Sequence, residues 1–300
     1  MIKNKFNSLL TCLFIYCLTF YLAYILVPES IINIWLKILV WHILATIFVY
    51  IFSVILKNSS LYDPFWSVAP IPIVIFLSLM TDFSMNPEKH LYILIPVIFW
   101  ALRLTHNWII GWPGFKHEDF RYVDLKNTTP IRSELINFFG IHLIPTLQVN
   151  LSLLPLYYIF ISNTYNSFLL IFASLIAIIA VIIEIVSDYQ MRQFKSDIKN
   201  KGITMKDGLW KYSRHPNYFG EVLFWFSVYL FGLSSNIIPI WTFICPLSMY
   251  LLFIYISCPM MDNRSLKNRS DYQSYMDKTC LLYTSPSPRD LSTSRMPSSA

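Results

Sequence analysis

The chain has 300 residues, of which 55% are apolar and only 13% are charged, and its mean hydropathy is +0.51. Because a soluble domain carries about 25% charged residues, this composition excludes an ordinary water-soluble globule and indicates a protein embedded in lipid. The sequence contains seven glycines and neither a G-x-G-x-x-G nor a G-x-x-x-x-G-K-[ST] motif, which excludes a Rossmann turn and a P-loop.

Long apolar runs follow one another along the chain. Crossing about 30 Å of hydrocarbon takes roughly 17 to 25 residues per helix. Eight runs meet or approach this length and predict an all-α, multi-pass transmembrane helical bundle. The predicted spans cover residues 8–27, 34–56, 64–80, 91–110, 136–161, 166–186, 217–233 and 237–257.

The basic residues predict the orientation of these spans. Lys and Arg in short loops are retained on the cytoplasmic side of a membrane. With eight spans and the N-terminus inside, eighteen basic residues fall in the inner segments and two, Lys37 and Lys89, in the outer ones. We therefore expect both termini to be cytoplasmic.

Composition also divides the chain and limits its partners. We expect an N-terminal transmembrane hairpin at residues 1–57, a membrane domain at residues 58–280, and a disordered or non-native tail at residues 281–300, which are rich in Ser and Pro. The net charge of +6 is concentrated in the inner loops and matches an anionic lipid surface or an anionic ligand. Nucleic acid is not expected as a partner, because no soluble basic domain is present.

Polar side chains at the ends of the third and fourth predicted spans are the first candidates for function, because such groups are costly in a membrane unless paired or solvated. Tyr62 and Asp63 begin the third span, where Asp63 before a proline is equally consistent with a helix N-cap. Arg103 lies near the inner end of the fourth span, where it could also snorkel to the interface. Arg121 follows in the next loop, and together the two arginines could meet a phosphate.

A third polar cluster surrounds the start of the seventh predicted span. Glu184, Asp188 and Arg192 share one helix face at i,i+4 spacing, which also suits a plain exit helix with stacked ion pairs. In the later run SRHPNYFGE, Pro216 is placed to open a helix, with Ser213 or His215 near its cap. A helix N-terminus attracts anions, so this turn predicts a site for an anionic cofactor.

No metal site is predicted. The six histidines show no H-x-x-x-H or H-x-x-H spacing, and the five cysteines include no C-x-x-C pair.

The third cluster carries a family likeness. The run SRHPNYFGE, with Glu184, Asp188, Gln190 and Lys195 before it, resembles the C-terminal region of the steroid 5α-reductase family, in particular its DUF1295 branch. Upstream, Tyr62-Asp63-x-x-Trp66-Ser67 and Glu118-Asp119-x-Arg121-Tyr122 are similar to the DUF1295 pattern. The likeness runs from about residue 60 to about residue 279.

This resemblance implies a membrane oxidoreductase that holds NADPH in a cytoplasmic cavity. It would reduce an activated C=C bond of a steroid-like or other lipid-like substrate that enters from the bilayer. The proton donor is left open among Tyr62, Asp63 and Tyr218. The cofactor-site candidates are Arg103, Arg121, Glu184, Asp188, Arg192, Lys195, Tyr212, Arg214, His215, Asn217, Tyr218, Glu221, Asp262, Arg264, Tyr272 and Tyr275. The expected location is the endoplasmic reticulum in a eukaryote or the inner membrane in a bacterium.

A second family offers an alternative. Methyltransferases of the isoprenylcysteine carboxyl methyltransferase type share an RHP-x-Y-x-G run but bind S-adenosylmethionine. Glu221, which follows the glycine of this run, stands where those enzymes commonly have an aromatic residue. The NADPH hypothesis is therefore favoured over the methyltransferase and over a non-catalytic membrane protein.

Overall fold

The computed structural model describes residues 4–81 and 83–282, and every regular element within them is a helix. This confirms the predicted all-α class, whereas the predicted tail falls, from residue 283 onward, outside the described residues. The α-helices are α1 (Lys5–Leu26), α2 (Ile34–Leu56), α3 (Phe65–Val68), α4 (Pro70–Met80), α5 (Pro87–Gly111), α6 (Phe120–Lys126), α7 (Pro130–Leu135), α8 (Ile144–Ile161), α9 (Ser167–Ser196), α10 (Pro216–Leu233), α11 (Ile244–Leu252), α12 (Cys258–Asn268) and α13 (Tyr272–Met276). Turns of 3₁₀ helix occupy Ser59–Leu61, Ile198–Asn200, Gly208–Lys211 and Ile240–Phe243, and π-helical turns occupy Ile136–Leu143 and Phe253–Ser257.

Seven helical stretches among the described residues are long and apolar enough to cross a membrane. They are Lys5–Leu26, Ile34–Leu56, Ser59–Met80, Pro87–Gly111, Pro130–Ile161, Ser167–Ser196 and Ile240–Asn268. The seventh predicted span, residues 217–233, is present as α10 but is not among these stretches, because Asn217 and Glu221 in its first turns make it less apolar. With 18 residues, α10 is about 27 Å long.

Short-range signals set the ends of several helices. The Asn4 side chain accepts a hydrogen bond from the Phe6 amide at 3.0 Å and caps α1. Asn33 caps α2 in the same way, accepting from the Leu36 amide at 2.9 Å. At the other end of α2, Lys57 adopts a left-handed conformation with a φ of 53°, which stops the helix.

The described residues group into two compact units. The first comprises the described residues up to Ile171 together with Tyr229–Cys245, and the second comprises Phe172–Val228 and the described residues from Pro246 onward. The predicted division after residue 57 stays a prediction.

Aromatic packing joins the first helices of the first unit. Helix α1 packs along α2, and Phe20 of α1 stacks on Phe65 of α3 with ring centroids 5.5 Å apart. Trp41 of α2 contacts Phe20 edge-on at 5.9 Å and donates its indole N–H to the Phe20 carbonyl at 2.9 Å. A buried tryptophan thus has both its apolar body and its polar atom accommodated.

A buried lysine closes the last turn of α8 in the same unit. Lys89, only 2% exposed, donates its ammonium to the carbonyls of Phe160 and Ser162 at 3.2 and 3.0 Å. The final carbonyls of a helix carry partial negative charge, so a cation at this position is stabilising.

The second unit brings the end of α9, the start of α10 and the helices α12 and α13 together. The Leu209 amide, before α10, donates to Gln190 of α9 at 2.9 Å, and Thr204 donates to Asp271 beside α13 at 2.6 Å. Arg214 pairs with Asp262 of α12 at 2.7 Å. The chain therefore leaves this end of the unit where α10 begins, at Pro216, and α12 brings it back to the same end at Asp262.

Candidate functional site

The turn that precedes α10 has the local structure predicted for it. Pro216 is the first residue of the helix, and the Ser213 hydroxyl accepts a hydrogen bond from the His215 amide at 3.1 Å. Proline fits this position because the first helical N–H has no partner within the helix. The last described residues also contact this turn, since the Arg214 amide donates to the Cys280 carbonyl at 2.9 Å.

Asp262 is the centre of the polar contacts in this unit. Its carboxylate accepts hydrogen bonds from Arg214 Nη1 at 2.7 Å, His215 Nε2 at 2.8 Å and the Tyr272 hydroxyl at 2.5 Å. All four side chains are largely buried. Burial and the bond to the negative Asp262 raise the pKa of Tyr272, so this phenol stays protonated and donating. The arrangement fixes the directions in which Arg214 and His215 point.

A second tyrosine braces the same turn. The Tyr275 hydroxyl donates to the carbonyls of Trp210 and Ser213, the latter at 3.1 Å. The indole N–H of Trp210 in turn donates to the Ser187 carbonyl of α9 at 3.0 Å. Helices α9 and α13 thus clamp the segment that leads into α10.

A cavity of about 190 Å³ lies against this turn within the second unit. Two of its lining residues each carry a buried polar atom, Arg214 Nε and Asn217 Oδ1, that has no hydrogen-bond partner among the described residues. A buried donor or acceptor without a hydrogen bond costs about 1–3 kcal/mol, and a polar group that reached these atoms would recover part of that cost. The lining residues are Asp188, Met191, Lys195, Thr204, Met205, Trp210, Arg214, His215, Asn217, Tyr218, Met261, Ser265, Arg269, Tyr272 and Tyr275.

Eight of the residues singled out in the sequence line this cavity. They are Asp188, Lys195, Arg214, His215, Asn217, Tyr218, Tyr272 and Tyr275. The Tyr218 ring is stacked on His215 with centroids 5.3 Å apart, so the aromatic wall is continuous with the Asp262 contacts. Within the described part of the second unit, the remaining candidates lie outside the lining: Glu184, Arg192, Tyr212, Glu221, Asp262 and Arg264.

Sequence reasoning missed several lining residues. Arg269 adds a cation after α12, and three methionines, Met191, Met205 and Met261, add apolar surface. The sequence offered a hint of Arg269, which is one of the basic residues after the last predicted span. No sequence pattern marks the isolated methionines as lining residues.

Glu184 and Glu221 are both buried, and a glycine sets the helix packing beside them. A Cβ on Gly220 would lie 2.4 Å from Glu184 Cγ and 2.9 Å from the Ala180 carbonyl. Only glycine therefore lets α10 approach α9 this closely.

The other predicted polar cluster forms a network within the first unit. Asp63 accepts hydrogen bonds from Arg121 at 3.2 Å and from the Tyr122 hydroxyl at 2.5 Å, and Arg121 also pairs with Asp119 at 2.8 Å. Burial alone would lower the pKa of Arg121. Its neighbours Tyr122, Asp63 and Asp119 outweigh this effect and raise the pKa. Asp63 does not cap α3, whose cap position is Pro64 and which has no side-chain cap bond.

Tyr62 and Arg103 lie in this first unit as well. The Tyr62 hydroxyl is buried and hydrogen-bonded to Thr146 at 2.8 Å. Arg103 is half-buried in α5. The guanidinium of Arg121 already faces two carboxylates, so a phosphate shared by Arg103 and Arg121 would have to compete with Asp63 and Asp119.

Comparison with known proteins agrees with the sequence motifs. A family described as "Protein of unknown function (DUF1295)" matches residues 49–279. The chain belongs to the DUF1295 family. The match contains both polar networks and every residue that lines the cavity, and it confirms the family likeness inferred from the sequence.

One relative and the solved structures complete the comparison. The chain is 26% identical over 255 residues to Uncharacterized protein C594.04c of Schizosaccharomyces pombe, covering 75% of this chain and 72% of the relative. No solved structure matches the chain.

Proposed function

We propose that this DUF1295 protein is a membrane oxidoreductase that binds NADPH at the cavity beside α10 and reduces a C=C bond of a lipid-like substrate. The observation that carries the proposal is that two residues lining the cavity, Arg214 and Asn217, each hold a buried polar atom, Nε and Oδ1, without a partner in the described chain. A phosphate oxygen would accept from the Arg214 N–H, and a carboxamide N–H would donate to the Asn217 oxygen.

The charges of the wall favour an anionic ligand. Lys195, Arg214 and Arg269 line the cavity with only one carboxylate, Asp188, among the lining residues. The second carboxylate, Asp262, lies behind Arg214 and orients it. An excess of cations at a partly enclosed site attracts a phosphate-bearing cofactor.

The size of the cavity limits what it can enclose. Ligand sites for drug-sized molecules measure about 300–1,000 Å³, and this cavity measures about 190 Å³. It would therefore enclose one part of a dinucleotide, while the rest would lie along the exposed basic segment that contains Lys195.

Bound NADPH would supply the hydride for one carbon of the double bond, and a proton added to the neighbouring carbon would complete the CH–CH product. Of the three proton-donor candidates, Tyr218 lines the cavity. Its ring stacks on His215, which is bonded to Asp262, so the phenol is held by a fixed neighbour. Methionines in the wall supply an apolar surface for a lipid-like acceptor.

A binding experiment with matched variants tests the cofactor site. Arg269→Gln and Asn217→Leu should each weaken NADPH binding by the detergent-solubilised protein at least tenfold, a loss of about 1.4 kcal/mol. Lys267→Gln removes a neighbouring charge from an exposed position on α12 outside the cavity lining, and it should bind NADPH like the wild type. Fluorescence of bound NADPH gives the affinities.

The same preparation distinguishes the alternative cofactor. S-adenosylmethionine binding without NADPH binding would replace the reductase by a methyltransferase. Unchanged NADPH affinity in both cavity variants would remove the cavity as the cofactor site.

A further inference from the structure

Helices α2 and α8 of the first unit are antiparallel neighbours with a defined register. Trp35 of α2 contacts Tyr157 of α8 with ring centroids 6.0 Å apart. Further along, Thr46 is hydrogen-bonded to Thr146 at 2.8 Å. As the residue number rises by eleven along α2, it falls by eleven along α8, so the two contacts belong to one continuous alignment of the helix pair.

The same register brings two buried polar residues to one level. His42 lies seven residues after Trp35 and four before Thr46, and Asn150 lies seven before Tyr157 and four after Thr146. Spacings of four and seven keep side chains on one helix face. His42 and Asn150 therefore occupy matching positions on facing stripes, about 6 Å beyond the threonine contact along both helices.

Both residues carry buried hydrogen-bonding atoms that have no partner within the described part of the chain. His42 is 1% exposed, and both its ring nitrogens are without a partner. Asn150 is 2% exposed, and its amide nitrogen is without a partner. The ring of Phe65 lies 5.9 Å from that of His42 and makes the surroundings apolar.

These groups specify a ligand by their chemistry. A neutral imidazole offers one N–H and one acceptor nitrogen, and an amide nitrogen offers two N–H groups. A hydroxyl can accept from Asn150 and donate to His42, whereas a carbonyl can accept from both. Among membrane helices, the molecules that bring such an oxygen are lipid-soluble.

We propose that His42 and Asn150 form an intramembrane site that binds the hydroxyl or carbonyl oxygen of an otherwise apolar molecule. The site lies within the first unit and does not rest on the proposed reductase activity. Three unsatisfied atoms at one level of one helix pair are retained for this ligand despite their cost to folding.

Photolabelling tests the site. Diazirine-bearing probes with a C16 chain, one an alcohol, one a ketone and one a hydrocarbon, are irradiated with the full-length protein in nanodiscs. Labelled peptides from α2 and α8 are then counted by mass spectrometry. We expect the alcohol or the ketone to label these helices at least fivefold more than the hydrocarbon, and the better of the two identifies the oxygen function that is bound.

Substitutions assign the labelling to the two residues. His42→Phe and Asn150→Leu should each lower oxygen-dependent labelling to the hydrocarbon level, while thermal stability stays equal or rises because a buried unsatisfied group is gone. Thr19→Val is the matched control, since it removes a buried hydroxyl that is already bonded to the Tyr16 carbonyl of its own helix at 3.0 Å. It should keep the wild-type labelling.

Two results would overturn the site. One is equal labelling by the three probes, and the other is oxygen-dependent labelling that survives both substitutions. If His42→Phe fails to fold, Asn150→Leu alone decides the question. NADPH binding is measured separately, so failure of this site leaves the cofactor proposal standing and the reverse also holds.

Discussion

Two aspartates at the ends of membrane helices are held by the same kinds of side chain. Asp63 accepts hydrogen bonds from an arginine and a tyrosine, and Asp262 accepts from Arg214, Tyr272 and a histidine. A buried carboxylate is tolerated when cations and donors surround it. The sequence predicted Asp63 and Arg214 as informative residues, but their partners come from distant segments that no local pattern connects.

Removal of the Asp262 carboxylate should leave Arg214 without its counter-charge. We expect Asp262→Ala to lower the free energy of unfolding by about 3–5 kcal/mol, because breaking a buried pair strands the remaining charge. Arg214→Met in the same chain should recover a large part of that loss, and a double-mutant cycle in thermal unfolding measures the coupling. Additive losses in the two single variants would show that the pair contributes nothing.

Asp271 should make the second unit sensitive to acid. Burial alone would raise the pKa of Asp271, but hydrogen bonds from Lys206 and Thr204 outweigh it and lower this pKa. The stabilisation is therefore fully present above the ordinary aspartate pKa of about 3.9 and is lost as the pH falls through the lower folded-state value.

Thermal unfolding of the wild type and Asp271→Asn across pH checks this. The wild type should be more stable at neutral pH, and the difference should shrink below pH of about 4. A difference independent of pH would contradict the role of the carboxylate charge.

At the scale of elements, apolar length predicted the helices well and their internal irregularities poorly. The run at 34–56 is helix α2 with the predicted bounds. The run at 136–161 instead begins with a π-helical turn at Ile136–Leu143 and continues as α8. The length of an apolar run does not reveal such a turn. The same side chains are buried whether each backbone N–H bonds to the carbonyl four residues earlier, as in an α-helix, or five residues earlier, as in a π-helix.

The residues that line the cavity also differ in how well the sequence predicts them. Residues of the SRHPNYFGE run were found because they lie together in the sequence. Arg269 and Met261 reach the same cavity only because α12 and α13 fold back onto the start of α10. This packing of α12 and α13 against α10 is a tertiary contact between distant segments, and local composition and residue spacing do not predict it.

Close approach of α9 and α10 should depend on one glycine. Gly220→Ala places a Cβ into Glu184 and the Ala180 carbonyl, so we expect a loss of about 1–3 kcal/mol from overpacking. Gly111→Ala is the matched control, because nothing lies within 4 Å of its Cβ position. Unfolding midpoints of the two variants give the comparison, and equal midpoints would show that the helices can separate without cost.

At the scale of the whole molecule, we expect α10 to cross the membrane. The contacts of Arg214 with Asp262 show that the chain returns to the end from which α10 departs. The distribution of basic residues favours a crossing by α10, because the basic residues after the last span then lie on the side predicted to be cytoplasmic.

Labelling of single cysteines tests this topology. In a cysteine-free background expressed in a bacterial inner membrane, Asn236→Cys after α10 should react with an impermeant thiol reagent that reaches the periplasm of intact cells. Lys201→Cys, before α10, should react only after permeabilisation. Reaction of both positions from the same side would mean that α10 does not cross and that the termini lie on opposite sides.

The last described residues have a practical consequence for handling this protein. The carbonyls of Cys280 and Leu281 receive the Arg214 amide and the Ser213 hydroxyl, at 2.9 and 3.2 Å. Trimming the chain ahead of these two acceptors would loosen the loop that shapes the pocket mouth, with the transmembrane helices left intact. A trimmed version that purifies well would therefore be expected to bind ligand poorly.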